Sequence, residues 1–413
     1  MMERVVVTGL GVVSAIGNDV DTFFNGLLNK KSGVCEISSF DCSKHLTKIA
    51  AEVKDLAVED YFDVKSLKKH DRFSQFAIIA ADQAISQSGF LESNVDKERC
   101  GVFVGSGIGG LQSHEKTQKN FDKRGVRGVS PFYISNLISN LGGGNIAIRY
   151  GLKGINFGLV SACSTGTHSI GEAFLKIRYQ DQDLMVAGGS EASITPITMA
   201  GFANMKAMSR RNESPQEASR PYDRDRDGFV MGEGAGILVL ESLTSAKNRG
   251  ANILAEIVGY GASCDAYHIT AVAPGGEGVV RSTNLALKQA KIEPEAISYI
   301  NTHGTSTPLG DQYEVEFIKN VFSNSYKKIA VSSSKSMIGH LLGAAGGVES
   351  IVCVKSLMEQ AVHPTLNLEN PGEGFDLDFV LGSSRDTKLD YVLKNSMGFG
   401  GHNASLIFKK FES

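Results

Sequence analysis

Three residues in this sequence have the types and settings needed for acyl transfer. Cys163 follows the apolar stretch 155–160 and precedes a helical pattern. A helix N-terminus offers a positive dipole end and unpaired backbone N–H groups, so we expect the thiolate of Cys163 to be favoured. His303 lies in a polar loop of small residues, and His340 precedes a long apolar segment. A cysteine nucleophile with distant histidine partners is typical of acyl-transfer enzymes.

Composition limits the class of protein that these residues can belong to. The chain has 413 residues, of which 42% are hydrophobic, so it is long enough for one large core or two fused halves. A net charge of −3 gives no overall basic field that would favour nucleic acid. The six cysteines form no C-x-x-C pair and indicate free thiols in a reducing compartment.

The same sequence argues against a membrane protein. No apolar run approaches the roughly 20 residues that span a bilayer, and the N-terminus lacks the apolar core of a signal peptide. We therefore expect a soluble, cytoplasmic protein. A matrix or plastid enzyme that had lost its transit peptide would look the same.

Helical and strand patterns alternate along the chain, which favours an α/β fold. A helical stripe of apolar residues precedes Gly89, and a long, mostly apolar helix is predicted near the C-terminal end. The predicted helices are centred on 73–84, 170–177, 285–290 and 341–358, and the predicted strands on 101–104, 185–187, 236–240, 253–258, 297–301 and 329–332.

The order of these elements repeats, which predicts two halves, residues 1–250 and 251–413. Each half has an apolar strand that enters a small-residue loop, then a strand and a reactive residue that starts a buried helix, then a glycine-rich segment that enters a strand. In the first half these features are 101–110, the stretch 155–160 as the strand before Cys163, and 232–240. In the second half they are 299–307, His340 and 398–408. A pseudo-twofold axis would bring both helix starts to one central site.

Two motifs resemble ligand sites but lack their context. Residues 105–110 satisfy G-x-G-x-x-G, yet no acidic residue ends a following strand about 20 residues on, so dinucleotide binding is not expected. Residues 223–228 begin like an EF-hand loop, but the twelfth position is Gly234 rather than a bidentate Glu. This segment is interpreted as a local ion-pair network.

The reactive residues lie within a series of motifs that covers essentially the whole chain. With them, the chain resembles the β-ketoacyl-[acyl-carrier-protein] synthases of type II fatty-acid synthesis, in the synthase II branch. The resemblance implies the thiolase fold, a five-layered α-β-α-β-α sandwich of two duplicated halves, and a homodimer. The motifs are 5–11, 105–110, 219–221, 265–268, 301–307, 335–347 and 395–401.

The resemblance also implies a reaction. Cys163 would take the acyl chain from an acyl carrier protein, and the backbone N–H groups of Cys163 and Phe399 would bind the oxyanion, where losing one donor costs about 3 kcal/mol. Malonyl-carrier protein would then lose CO2. His303 and His340 would donate N–H groups to the resulting enolate, and His303 would also activate a water that attacks the carboxylate. The carbanion would attack the acyl group and extend it by two carbons.

Further roles follow from the same resemblance. Lys335 would orient and electrostatically tune the site, and Glu349 would be a buried structural carboxylate behind it. No cofactor is required, because the carrier protein delivers the pantetheine arm. A monovalent cation near Asn301, Glu349 and Ser396 is a further expectation.

Substrate contacts are implied as well. Thr305 and Thr307 would bind the pantetheine arm with help from Thr270. Phe399, among glycines that permit backbone movement, would act as a gate, and Ile108 would line the acyl pocket. Because carrier proteins are acidic, a basic patch would dock them. Its candidates are Lys65, Lys68, Lys69, Arg72, Lys123, Arg124 and Arg127.

Other readings make different demands on the sequence. A non-catalytic, chain-length-determining partner subunit would lack the nucleophile, but Cys163 is present. A thiolase that uses coenzyme A would carry a second catalytic cysteine near the C-terminus, and 398–403 contains none. Type III initiating synthases use Cys-His-Asn, whereas His340 stands in the place of that Asn. Synthases I and II share the Cys-His-His set, so these residues leave the preferred chain length open.

Overall fold

Strands and helices alternate through the computed structural model, which describes residues 2–412. No helix within these residues is long and apolar enough to cross a membrane. The strands are β1 Val5–Val13, β2 Cys35–Glu36, β3 Ile49–Ala50, β4 Cys100–Gly105, β5 Leu184–Glu191, β6 Gly234–Ser242, β7 Ala255–Cys264, β8 Ile297–Asn301, β9 Ala330–Ser332, β10 Ala361–Val362, β11 Asp378–Phe379, β12 Arg385–Asp386, β13 Tyr391–Gly398 and β14 His402–Lys409. The helices are α1 Val20–Leu28, α2 Val64–Leu67, α3 Arg72–Ser88, α4 Leu111–Arg124, α5 Tyr133–Leu137, α6 Leu141–Tyr150, α7 Thr165–Arg178, α8 Pro196–Asn204, α9 Leu243–Asn248, α10 Glu277–Ala290, α11 Pro308–Val321, α12 Lys335–Ile338 and α13 Ala345–Glu359.

Ten strands form one continuous sheet in the order β11-β9-β8-β13-β14-β7-β1-β6-β5-β4. The N-terminal strand β1 lies at its centre and pairs antiparallel with both β6 and β7. Every residue of β1 is buried, which agrees with its uninterrupted apolar and small-residue sequence. The remaining short strands form two separate pairs, β10 with β12 and β2 with β3.

The sheet repeats one pattern of strand directions. In the first half β4 is parallel to β5, β5 antiparallel to β6, and β6 antiparallel to β1. In the second half β8 is parallel to β13, β13 antiparallel to β14, and β14 antiparallel to β7. The two copies meet where β1 pairs antiparallel with β7, as a twofold axis between them requires. The topology therefore shows the duplication that the sequence predicts.

The helices form three layers around the strands. Helix α3 packs on β1, β5 and β6, and helix α10 packs on β7, β13 and β14. Helices α7 and α13 contact each other and also strands of both halves, so they lie in a shared central layer. The largest hydrophobic cluster joins Ile170 and Phe174 of α7 to Ile351 and Val352 of α13. The two halves of the continuous sheet lie on either side of this central layer, with α3 and α10 outside them, so the order of layers is α-β-α-β-α.

Glycines allow the two central helices to approach closely at their first turns. A Cβ atom on Gly166 would lie 2.7 Å from the backbone nitrogen of Gly347 and 3.0 Å from the carbonyl oxygen of Gly343. A Cβ atom on Gly346 would collide with Thr167. The starts of α7 and α13 are therefore packed backbone against backbone, at the centre of the molecule.

Most predicted elements are present, and two differ in detail. The helix predicted before Gly89 is α3, which Asp71 caps by accepting from the backbone N–H of Phe73 and which ends at Gly89 with φ of +65°. The segment 155–160 is not a strand, since it makes only an isolated bridge to β4 at Asn156. The helix predicted over 341–358 begins at Ala345, after a 3₁₀ turn over Leu342–Ala344.

Candidate active site

One cavity of about 370 Å³ contains residues from both halves of the chain. Its lining includes the apolar side chains of Phe202 and Phe229 and a set of polar side chains, called here the polar strip, that includes Thr270, Thr305 and Thr307. The predicted site residues that line the cavity are Cys163, Thr270, His303, Thr305, Thr307, His340 and Phe399. The structure thus brings together seven side chains that are spread over 237 positions of sequence, from 163 to 399.

Cys163 lies in a 3₁₀ turn, Ala162–Ser164, that leads directly into α7. The turn is fixed by a hydrogen bond from the Ser164 hydroxyl to the carbonyl of His402, at 2.8 Å, and Ala162 takes a φ of +50°. The side chain is buried, and 8% of the residue's surface is exposed. This turn places the sulfur between the helix start and the loop that carries Phe399.

Burial raises the pKa of the Cys163 thiol to about 12. The positive charge of Lys335 and the backbone N–H groups of Phe399 and Cys163 act in the opposite direction but are outweighed. The prediction that the helix start favours the thiolate is therefore wrong for the substrate-free protein, because loss of hydration is the larger effect. The backbone N–H groups of Cys163 and Phe399 both lie within hydrogen-bond reach of the sulfur. Donors this close to the nucleophile are placed to bind the oxyanion that forms when the sulfur attacks a carbonyl.

The two histidine rings stand edge to face, with ring centroids 5.3 Å apart and an interplanar angle of 90°. The backbone N–H of His340 donates to Val230 at 2.7 Å, and the His340 ring packs edge-on against Phe229. Burial, reinforced by the charge of Lys335, holds the pKa of both histidines well below the usual range. Both imidazoles are therefore neutral at pH 7.

Glu314, which the sequence reasoning missed, fixes the loop that carries His303. Its carboxylate accepts the backbone N–H groups of His303 at 2.7 Å and Gly304 at 2.6 Å. It also accepts from the Asn395 amide at 2.7 Å and the Tyr222 hydroxyl at 2.7 Å. The available signal was an acidic residue next to the apolar residues Val315 and Ile318 of α11, because a carboxylate on a buried helix face needs several donors.

Glu191, at the end of β5, is a second residue that the sequence did not reveal. Its fully buried carboxylate accepts backbone N–H groups from Gly107 at 2.8 Å and Gly343 at 3.0 Å. The hydroxyls of Ser106 and Ser193 donate to it at 2.9 Å each. The G-x-G-x-x-G loop is therefore occupied by a protein carboxylate rather than by a phosphate, and this carboxylate connects the two halves beside Cys163.

Lys335 and Glu349 lie behind the cavity rather than in its lining. Their side chains form an ion pair in which each is 1% exposed. A second lysine, Lys394 of β13, contacts the other oxygen of Glu349 at 2.9 Å and is fully buried. Sequence reasoning missed Lys394, although a lysine inside an otherwise buried strand is itself unusual.

The oxygens expected to hold a monovalent cation do not fit one in this chain. The Lys394 ammonium donates to the Ser396 hydroxyl at 3.0 Å and to the Asn395 carbonyl, and it contacts Glu349. A metal ion at these oxygens would lie directly beside a buried positive charge, and like charges repel strongly where water is excluded.

The loop of Phe399 contains two glycines in left-handed conformations. Gly400 and Gly401 have φ values of +86° and +75°, which glycine adopts without strain. Gly400 donates to the carbonyl of Ile269 at 2.8 Å, and the half-buried Phe399 ring lies 6.1 Å from that of Phe202. Phe399 thus forms part of the cavity wall on a backbone that can rearrange.

The other predicted residues lie outside the cavity. Ile108 is 39% exposed on the loop that Glu191 holds and does not line the cavity in the single chain. Arg72 is turned inward and forms an ion pair with Glu233 at 2.8 Å, so it is the least available of the docking candidates. An exposed lysine that the prediction omitted, Lys206, lines the cavity. The exposed docking candidates are Lys65, Lys68, Lys69, Lys123, Arg124 and Arg127.

Two thiolase-type halves with a cysteine and two neutral histidines in a shared cavity define a condensing acyltransferase. Family models described as the N-terminal and C-terminal domains of β-ketoacyl synthase match residues 2–246 and 254–369. The chain belongs to the β-ketoacyl synthase family.

Individual relatives agree along the full chain. The 3-oxoacyl-[acyl-carrier-protein] synthase 2 of Staphylococcus aureus (strain N315) is 48% identical over 411 residues, covering 100% of this chain and 99% of the relative. That of Synechocystis sp. (strain ATCC 27184 / PCC 6803 / Kazusa) is 47% identical over 410 residues, covering 99% of each.

A solved structure agrees as well. A type II PKS acyl-carrier protein in complex with its ketosynthase, bound to the hexaketide, contains a chain that superposes with a TM-score of 0.93. The two chains are 33% identical and each is covered completely. The predicted family, the thiolase fold and the condensing activity are confirmed.

Proposed function

We propose that this chain lengthens acyl groups carried by an acyl carrier protein, two carbons at a time, by decarboxylative condensation with malonyl-carrier protein. The observation that carries the proposal is the convergence of Cys163, His303 and His340 on one cavity with two backbone donors aimed at the sulfur. The relatives named above support the choice of carrier-bound substrates. The presence of Cys163 argues against a non-catalytic partner subunit.

The first half-reaction transfers the acyl group to Cys163. The sulfur attacks the thioester carbonyl, and the oxyanion accepts from the backbone N–H groups of Cys163 and Phe399. The C–S bond to pantetheine then breaks, and the proton lost by Cys163 ends on the departing pantetheine thiol. Since burial keeps Cys163 as a thiol, this proton leaves the sulfur during the attack rather than before it.

The second half-reaction uses the histidines. Loss of CO2 from the malonyl thioester places negative charge on the thioester oxygen, where the Nε2–H groups of His303 and His340 would donate. Nδ1 of each ring is buried and makes no hydrogen bond within residues 2–412, which supports a proton on Nε2. The α-carbon attacks the acyl group on Cys163, a carbon–carbon bond forms, and the thiolate leaves and regains a proton.

The pantetheine arm would enter along the polar strip of the cavity. The hydroxyls of Thr305 and Thr307 lie 3.0 Å apart and Thr270 lines the same cavity, so all three can bind amide groups of the arm. The acidic carrier would dock on the exposed basic residues given above, with Lys206 added to them. No separate cofactor is needed, because the arm arrives with the carrier.

A homodimer and a cytoplasmic location are further parts of the proposal. Phe157 and Val160, on the edge beside β4, are 46% and 54% exposed, and Ile134 is 62% exposed. Apolar side chains on a sheet edge favour pairing with a second copy. Such a copy would also cover Ile108 and so complete an acyl pocket that is open in the single chain.

The deciding experiment supplies purified malonyl-carrier protein with acyl-carrier proteins of several chain lengths and identifies products by mass spectrometry. The expected product is a 3-oxoacyl-carrier protein two carbons longer than the acyl donor, formed with release of one CO2. Absence of an elongated product at every length, with a protein whose Cys163 can still be alkylated, would contradict the proposal.

A further inference from the structure

Two buried lysines share one carboxylate behind the cavity. Lys335 binds one oxygen of Glu349, and Lys394 contacts the other at 2.9 Å. All three side chains are at most 1% exposed, so two lysines and only one carboxylate are held away from water. Burial lowers the pKa of Lys394, and the charge of Glu349 opposes this by favouring the ammonium form. A buried surplus charge is costly unless polar atoms surround it, so its surroundings indicate what it does.

The Lys394 ammonium is surrounded by the oxygens that would bind a free cation. It donates to the Asn395 carbonyl and to the Ser396 hydroxyl at 3.0 Å, in addition to its contact with Glu349. Asn301 is its register partner across β8 and β13, and Oδ1 of Asn301 is a buried acceptor without a hydrogen bond within residues 2–412. These oxygens are neutral or negative, as a monovalent cation requires.

The same cluster reaches the elements that carry the reactive residues. The Ser396 hydroxyl contacts the Thr167 hydroxyl at 2.7 Å, and Thr167 lies in the first turn of α7, just after Cys163. Through Glu349 the cluster holds Lys335, five residues before His340. One ammonium group therefore connects β13 to the starts of α7, α12 and α13.

We infer that Lys394 is a tethered cation: its ammonium group takes the place of a free monovalent metal ion and makes the site independent of Na⁺ or K⁺. Lys394 is a positioning residue, because it acts through Glu349 and Ser396 and does not line the cavity. The ammonium carries the same single charge as a metal ion and uses the same oxygens, and it cannot dissociate.

The first test uses the unaltered protein. Its unfolding midpoint is measured in potassium, sodium, ammonium and tetramethylammonium chloride at one ionic strength, without substrate, so the result does not depend on the proposed reaction. The expected midpoints are the same in all four salts. A midpoint raised selectively by potassium or sodium, and growing with the logarithm of its concentration, would overturn the inference.

The second test empties the position. Lys394→Ala leaves the surrounding oxygens in place and opens the space that the ammonium group occupied. The unfolding midpoint of this variant should be lower than that of the unaltered protein. It should rise again in potassium or ammonium chloride but not in tetramethylammonium chloride. The condensation rate of Lys394→Ala should fall roughly 10–100-fold, which is the range for losing a residue that orients the groups in direct contact with a site. The rate should recover with the same ions.

Two control variants separate this explanation from a general salt effect. Lys394→Met fills the space with an uncharged chain, so it is expected to be destabilised without any recovery in small cations. Lys355→Ala removes another buried lysine, one paired with Asp21 and Glu359 at the far end of α13, and should show no ion selectivity. An unfolding midpoint of Lys394→Ala that is equal in every salt, or recovery of Lys394→Met by potassium, would overturn the inference.

Discussion

The carboxylate of Glu191 accepts a hydrogen bond from the backbone N–H of Gly343 at 3.0 Å, across the boundary between the two halves. Glu191 ends β5 in the first half, and Gly343 lies in the turn that precedes α13 in the second. The same carboxylate holds the loop of Gly107 and Ile108, and its charge is one of those that raise the pKa of Cys163. One side chain therefore joins the two halves and also contributes to the raised pKa of the nucleophile, after the larger effect of burial.

Glu191→Gln should lower the stability of the protein, although the two side chains have nearly the same volume. A glutamine side chain presents two N–H donors to a site where five donors already point at the acceptor, so at least one buried group loses its partner, at about 1–3 kcal/mol. We expect the free energy of unfolding in urea to fall by that amount. Ser193→Ala, which removes one of the five donors, should cost less. Equal stability of Glu191→Gln and the unaltered protein would contradict this role.

Gly166→Ala tests the close approach of the central helices. The new Cβ would lie 2.7 Å from the backbone nitrogen of Gly347, where only backbone movement gives relief, so we expect a loss of about 1–3 kcal/mol and a lower condensation rate. Gly201→Ala is the matched control in helix α8, where nothing lies within 4 Å. It should gain about 0.5–1 kcal/mol. The free energy of unfolding in urea is measured for both variants. If both substitutions stabilised the protein, or both destabilised it, the close approach at Gly166 would not explain the result.

Cys163→Ala should separate the two half-reactions. Without the sulfur no acyl enzyme can form, so acyl transfer from carrier protein should be abolished, while the histidines that stabilise the enolate remain. Release of CO2 from malonyl-carrier protein should stay measurable. Cys35→Ala, a half-buried cysteine outside the cavity, should keep both activities. Full condensation by Cys163→Ala would rule out its role as the nucleophile.

Replacing either histidine should mainly slow decarboxylation, in contrast to the loss of acyl transfer in Cys163→Ala. The two variants are His303→Ala and His340→Ala. Each removes one donor to the developing oxyanion, and such a donor contributes roughly 10²–10³-fold to the rate. Decarboxylation should fall accordingly, whereas acylation of Cys163 in a single turnover should fall less. His45→Ala, which lies outside the cavity lining, serves as the control. Decarboxylation at an unchanged rate in either variant would refute the assigned role.

The raised pKa of Cys163 predicts how its alkylation depends on pH. With a pKa of about 12, the thiolate fraction rises tenfold for each pH unit across the range from about 7 to 10. Iodoacetamide labelling, followed by mass spectrometry of the peptide that contains Cys163, should therefore accelerate throughout that range. A free thiol with a pKa of about 8.5 levels off within it. Levelling of the Cys163 rate below pH 9 would show that the substrate-free protein favours the thiolate.

The sequence predicted those parts of the structure that depend on local pattern. The stripe of Phe73, Phe76 and Ala77 gave α3, and the order of motifs gave the two halves and the cavity residues. The composition of 155–160 suits a strand. Whether a segment pairs in a sheet depends on the strands beside it, however, and β4 pairs with this segment only at Asn156. The predicted start of α13 lies four residues before the observed one, because the 3₁₀ turn that precedes the helix has a similar composition.

The sequence alone could not predict the roles of residues that depend on distant partners. Glu191 and Glu314 accept hydrogen bonds from groups that lie 81 to 152 positions away, and Lys394 of β13 contacts Glu349, which belongs to helix α13. The pKa of Cys163 was misjudged for a related reason. The helix start is visible in the pattern of residues, whereas the burial that outweighs it depends on how both halves close over the sulfur.

The central place of β1 affects how the protein is made. Residues 5–13 leave the ribosome early, but their partners in β6 and β7 follow more than 220 residues later. At a synthesis rate of about 5–20 residues per second, this apolar strand waits on the order of 10–50 seconds before it can pair. An unpaired apolar strand is prone to aggregation during that time, so the nascent chain is most exposed to misassembly until β6 emerges.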